Sequence, residues 1–199
     1  MSKTLCIDST NSISYIKICD YLIAELKPIL DSGENIVFLC IGTDRSTGDS
    51  LGPLVGYKLR FLSANNIHIL GTLQDPVHSK NLNKKLDEIN IKFKNPYIVA
   101  IDACLGSIHN IGKIFVEKKS ILPGAALNKN LPAVGKMSIT GIVNVSSSFD
   151  FLVLQNTRLN TVMMLSDIIS RAIYHFILKS TDINLYHDNS SNIVSFANK

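Results

Sequence analysis

Two short, unbroken apolar runs constrain the fold of this chain more than any other feature. The first, residues 35–41, holds Ile36-Val37-Phe38-Leu39-Cys40-Ile41 between Gly33 and Gly42; the second is Tyr97-Ile98-Val99-Ala100-Ile101 behind Pro96. Apolar residues at every position, rather than every second one, mark strands buried on both faces, as in a parallel sheet. Helical periods separate them. Ile13, Ile16, Leu22, Leu26 and Ile29 recur mostly at three- and four-residue spacing and predict a helix over 12–30. The same reading predicts helices over 50–62, 79–89 and 157–179. Further strands are predicted over 67–70, 112–116 and 136–145, the last interrupted at Gly141. Met163 in the longest helix reads as core filler. Strand and helix alternate, which predicts an α/β protein with a mainly parallel sheet.

At 199 residues, with 46% hydrophobic and 18% charged, the chain suits one folded domain over 1–180 and a loose, Asn- and Ser-rich tail over 181–199. The net charge of +4 is scattered, which argues against nucleic acid as a direct partner. The longest apolar runs are too short to span a bilayer and residues 1–8 lack a signal peptide's pattern, so a cytoplasmic protein with no membrane partner is expected. Cys6, Cys19, Cys40 and Cys104 lie far apart, as free thiols of a reducing compartment would. The long connection 122–136 carries two prolines and two glycines and reads as a functional loop. The apolar longest helix would suit a homodimer interface.

Ligands of open α/β sheets bind at the carboxyl ends of the parallel strands. Two strands bring a carboxylate there: Ile41-Gly42-Thr43-Asp44-Arg45-Ser46-Thr47-Gly48-Asp49 and Ile98-Val99-Ala100-Ile101-Asp102. Taken singly, Asp49 reads as a helix N-cap and Asp102 as a strand-end turn residue. Two such residues after separate buried strands point instead to a shared crevice. A phosphate-binding loop does not fit, because the glycines are one residue too far apart and Asp49 stands where its lysine belongs. Gly48-Asp49-Ser50-Leu51 spells the short motif of GDSL serine hydrolases, an alternative that needs a histidine such as His187 to activate Ser50. A metal held by Asp49, Asp102 and His78 or His109 is a further alternative, with no supporting pattern.

The stretch Ile41–Gly56 closely resembles the opening motif of the YyaC-type sporulation proteases. The resemblance continues through Gly71-Thr72-Leu73-Gln74-Asp75-Pro76-Val77-His78, Ala100-Ile101-Asp102-Ala103-Cys104-Leu105-Gly106, Leu122-Pro123-Gly124-Ala125-Ala126-Leu127-Asn128-Lys129, Thr140-Gly141-Ile142-Val143-Asn144-Val145 and Leu154-Gln155-Asn156-Thr157-Arg158-Leu159. That family is similar, more distantly, to the germination protease of spores through Asp49-Ser50-Leu51-Gly52-Pro53 and Ile101-Asp102-Ala103, and to the hydrogenase-maturation endopeptidases. The resemblance implies a three-layer α/β/α, phosphorylase/hydrolase-like fold. It implies an aspartic-type endopeptidase of the sporulating cell or forespore, with Asp49 and Asp102 as the catalytic pair and a protein or peptide as substrate. The maturation endopeptidases add a histidine and sense nickel; that histidine would fall near residues 136–140, where this chain has none, so no metal or other cofactor is expected.

Two carboxyl groups in one crevice share a proton, because both cannot ionise cheaply. Burial at a strand end favours Asp102 as base, whereas a helix dipole lowering the pKa of Asp49 argues the reverse; both assignments stay open. Arg45 would pair with either aspartate or, with Thr43 and Asp44, contact substrate; Asn128 and Lys129 are candidate substrate contacts in the long loop. A binding or regulatory module of sporulation that kept the fold without activity is the non-enzymatic alternative.

Overall fold

A computed structural model describes residues 4–123 and 131–181. Six strands, β1 (Leu5–Asp8), β2 (Ile36–Cys40), β3 (Ile67–Leu70), β4 (Tyr97–Gly106), β5 (Lys113–Glu117) and β6 (Met137–Val145), form one sheet in the order β1-β5-β6-β4-β2-β3. The four strands β6, β4, β2 and β3 are parallel, and β5 runs antiparallel to both its neighbours. Alternate residues of β2 feed two cores. Ile36, Phe38 and Cys40 pack with residues of α1 (Tyr15–Asp31), α2 (Leu51–Leu59) and α5 (Leu159–Ser180). Val37 and Leu39 pack with Leu82 and Ile89 of α3 (Leu82–Lys92) on the opposite face. The result is the expected α/β/α layering with a mainly parallel sheet.

Several boundaries differ from expectation, each for a local reason. The strand predicted over 97–101 runs on to Gly106, because β6 keeps pairing with it beyond Ile101; Asp102 therefore lies inside β4, opposite Thr140, rather than ending a strand. Gly141 does not interrupt β6. A Cβ there would come within 2.6 Å of a Leu51 methyl, so the glycine lets the helical layer close on the sheet. The edge strand β1 and the six-residue α4 (Asp150–Gln155) were not foreseen, being too short to show a period.

Among the described residues α5 is the one helix long and apolar enough to cross a membrane, by length and composition alone. Its apolar stripe, including Val162, Leu165, Ile169, Ile173 and Phe176, is buried within the chain's own core. The tail read from residue 181 onward lies, after Thr181, outside the described residues.

Candidate active site

The end of β2 is built so that the following loop folds back onto it. Ile41 donates its N–H to the Ile101 carbonyl but turns to bridge Val77, and the Gly42 N–H donates to the Val77 carbonyl. Gly42 has φ +139°, and a Cβ on it would fall on the Asp49 carbonyl oxygen. Thr43 donates its N–H to that same carbonyl at 3.0 Å. Gly52 passes so close to the Ile41 carbonyl that it too admits no side chain. The loop is thereby cinched, and a short 3-10 turn, Gly48–Ser50, sets Asp49 against the strand ends just before α2. Gly48 packs on Leu154 and Thr157, which ties the turn to the α4–α5 corner.

Asp102 reaches the same place from β4. Its residue is only 7% exposed, and one carboxylate oxygen accepts the Ala103 N–H at 2.8 Å. Burial, and after it the charge of Asp49, hold its pKa well above the ordinary carboxylate range. Burial pushes Asp49 up to about 6. The charge of Asp49 is thus felt at Asp102. Among the described residues no cation pairs with either, and no donor reaches the Asp49 side chain.

Two expectations about Asp49 are corrected. It does not cap a helix: Thr47 and Ser50 occupy the cap positions, and neither makes a side-chain cap bond. Nor does the helix end lower its pKa, because loss of solvent outweighs a dipole worth at most ~2 kcal/mol.

The other predicted residues separate. Thr43 is half-buried, and its hydroxyl accepts the Arg45 N–H at 3.3 Å. Asp44 and Arg45 are exposed, and Arg45 contributes to the shift of neither aspartate, so the pairing that would have kept both ionised is not made. Asn128 and Lys129 lie outside the described residues. Ser50 is buried, donating its hydroxyl to the Thr47 carbonyl at 2.6 Å. Among the described residues it has no histidine partner, and His187 lies outside them.

His78 accepts the Lys80 N–H on Nδ1, and His109 is exposed on a separate 3-10 turn. Among the described residues no three His, Cys, Asp or Glu side chains converge, so this donor set does not make a metal centre. Cys104 and Thr140 were missed. Cys104 shares the face of Asp102 two residues on, its thiol pushed up to about 12 by burial and next by the Asp102 charge, with the Thr140 hydroxyl bonded to it. The two-residue period of a strand would have found Cys104; Thr140 is brought in by register, which one sequence does not carry.

The layered α/β fold has a counterpart among solved structures. The solved structure of a NiFe hydrogenase maturation protease, HycI from Thermococcus kodakarensis KOD1, matches 77% of this chain and 98% of that one with a TM-score of 0.51. At 15% identity the likeness is one of fold. The chain belongs to the family described as "Protein of unknown function (DUF1256)", whose model matches residues 6–172. It is 48% identical over 142 residues to the uncharacterized protein YyaC of Bacillus subtilis (strain 168), covering 71% of this chain and 69% of that one. The family resemblance read from the motifs is thereby borne out.

Proposed function

We propose that the chain is an aspartic-type endopeptidase in which Asp49 is the general base and Asp102 the general acid. The observation that carries this reading is the pairing itself: two carboxyl groups from independent elements, both raised by burial, one raised further by the other, with no cation beside them among the described residues. Asp49, pushed up to about 6, is the member assigned to ionise, and Asp102, more deeply buried and raised as well by the Asp49 charge, is the member assigned to hold the proton. The ionised Asp49 draws a proton from water as the water oxygen bonds to the scissile carbonyl carbon. Asp102 donates its proton to the carbonyl oxygen, leaving a neutral tetrahedral intermediate. The proton on Asp49 then passes to the amide nitrogen as the C–N bond breaks, and Asp102 recovers its proton from the collapsing diol. This reverses the assignment that strand-end burial alone favours, because the more deeply buried acid is the one that stays protonated.

The family resemblance supplies the setting, a sporulating cell, and a protein or peptide as substrate. The four cysteines are free, which supports a reducing cytoplasmic compartment. Nucleic acid and membrane have no part in the proposed reaction.

The test is terminal-peptide proteomics on lysate of a spore-forming bacterium treated with the wild-type chain, Asp49→Asn or Asp102→Asn, all checked for folding by melting temperature. New N-termini made by the wild type alone would support the reading and name substrates. Equal cleavage by a folded variant would refute the carboxyl pair as the catalyst, and none by the wild type would transfer the reading to a non-catalytic binding module.

A further inference from the structure

Strand β4 outruns its neighbour β2. The β2–β4 register ends at Cys40↔Ile101, while β4 continues to Gly106 on the β6 side. Direction of the backbone groups follows from the bonds they make. Tyr97 donates its N–H to Asn35 and Ile101 accepts from Ile41, so odd-numbered residues of β4 face β2. Ile98 accepts from Lys136 and Gly106 from Ser146, so even-numbered ones face β6. Ala103 and Leu105 consequently turn their backbone groups to the side where β2 has ended. The Ala103 N–H is taken by the Asp102 carboxylate. Among the described residues no backbone bond from outside the strand ladder reaches the Ala103 carbonyl or either backbone group of Leu105, and residues 103–106 are partly exposed whereas 99–101 are buried.

An unpaired length of strand accepts another extended chain by main-chain hydrogen bonding. We propose that an extended polypeptide adds to the sheet beside Ala103–Gly106, in line with β2, as the substrate of the reaction proposed above. The slot is contiguous with the candidate site: the carboxylate that holds the Ala103 N–H is Asp102 itself, so a strand added here runs past the carboxyl pair. Five residues of β4 lie beyond Ile101, room for roughly 16 Å of extended chain, or four to five residues. At the same end of the sheet, with Val145 and Phe149 on the β6 side of β4 rather than in the slot, Ile108, Val145 and Phe149 are exposed at 67%, 39% and 71%, and segments carrying large apolar side chains are chosen as the probe on that account. The inference rests on the peptidase reading for why a peptide comes to this edge, but the edge is tested without cleavage.

The probe is a pool of synthetic decapeptides of mixed sequence rich in Leu, Phe and Val, added to Asp49→Asn protein so that nothing is hydrolysed. Amide exchange is followed by NMR. The Leu105 N–H is expected to exchange at least about a hundredfold faster than that of Gly106 in the free protein, and to be slowed when the pool is added. Replacing the Leu105 amide by an ester, through its hydroxy-acid analogue, removes one donor without altering any side chain. It is expected to weaken pool binding about tenfold. A Leu105 amide already protected in the free chain, an unchanged affinity of the ester, or no binding at all would each overturn the proposal. An ester protein that still cleaves at the wild-type rate would overturn it while leaving the carboxyl pair as the catalyst.

Discussion

Replacing Asp49 by Asn should make the protein more stable at neutral and alkaline pH, and only there. In the unfolded chain the carboxyl ionises around its ordinary value of 3.8, whereas burial holds its proton to about 6 in the folded chain. Between those values the folded state binds more protons than the unfolded one, so stability falls as pH rises and then levels off above about 6. At about 1.4 kcal/mol for each tenfold in affinity for the proton, the accumulated penalty is about 3 kcal/mol. Asn has the shape of the protonated acid and no charge to bury. It removes the penalty, and it also relieves Asp102 of the neighbouring charge that raises its pKa, an effect of the same sign. For a chain of this size the gain corresponds to a melting temperature higher by roughly 6–12 °C at pH 8, shrinking toward zero near pH 4. Thermal unfolding of both proteins across that range is the assay, and taking the difference cancels every group they share. A variant no more stable than the wild type at pH 8, or a gain of equal size at pH 4, would refute the argument that Asp49 is a buried acid without a counter-charge.

Two further outcomes follow from the same geometry. Peptidase kcat/KM should rise with pH through about 6 as Asp49 ionises, and fall again only well above the usual carboxylate range, where Asp102 loses its proton; a rate independent of pH between 5 and 7 would contradict the assignment of base. Ser50→Ala should cost about 1 kcal/mol of stability through the lost bond to the Thr47 carbonyl, leave cleavage unchanged, and match the wild type in showing no fluorophosphonate labelling; activity lost with the fold intact would return the serine hydrolase to contention.

What could be read from the residues, and what could not, divides along the physics of burial. The cores of β2 and β4 were legible because strands covered on both faces need apolar side chains at every position. The end of β4 was not, because beyond Ile101 one neighbour is missing and the residues there turn polar or half-exposed. The aspartates were legible one at a time, through their place after apolar runs. Their convergence was not, since it depends on the loop doubling back at Gly42 and Gly52, whose close approaches are properties of packed backbone rather than of composition. Arg45 was plausible as a partner by sequence distance alone, yet its side chain lies in solvent outside the crevice.

The cost of the arrangement bears on its meaning. Asp49 makes no cap bond, and Asp102 only holds an adjacent amide, tasks for which Asn would serve at no electrostatic penalty. A structural role therefore leaves the acidity unexplained. A site for binding a cation would use the same two acids with both ionised, a different demand on the pair. Proton transfer has the opposite requirement: one member ionised and the other protonated at the same pH. A pair raised by burial, Asp49 to about 6 and Asp102 well above the ordinary range with the charge of Asp49 added, suits that requirement, and this is why the reaction proposed is acid–base hydrolysis.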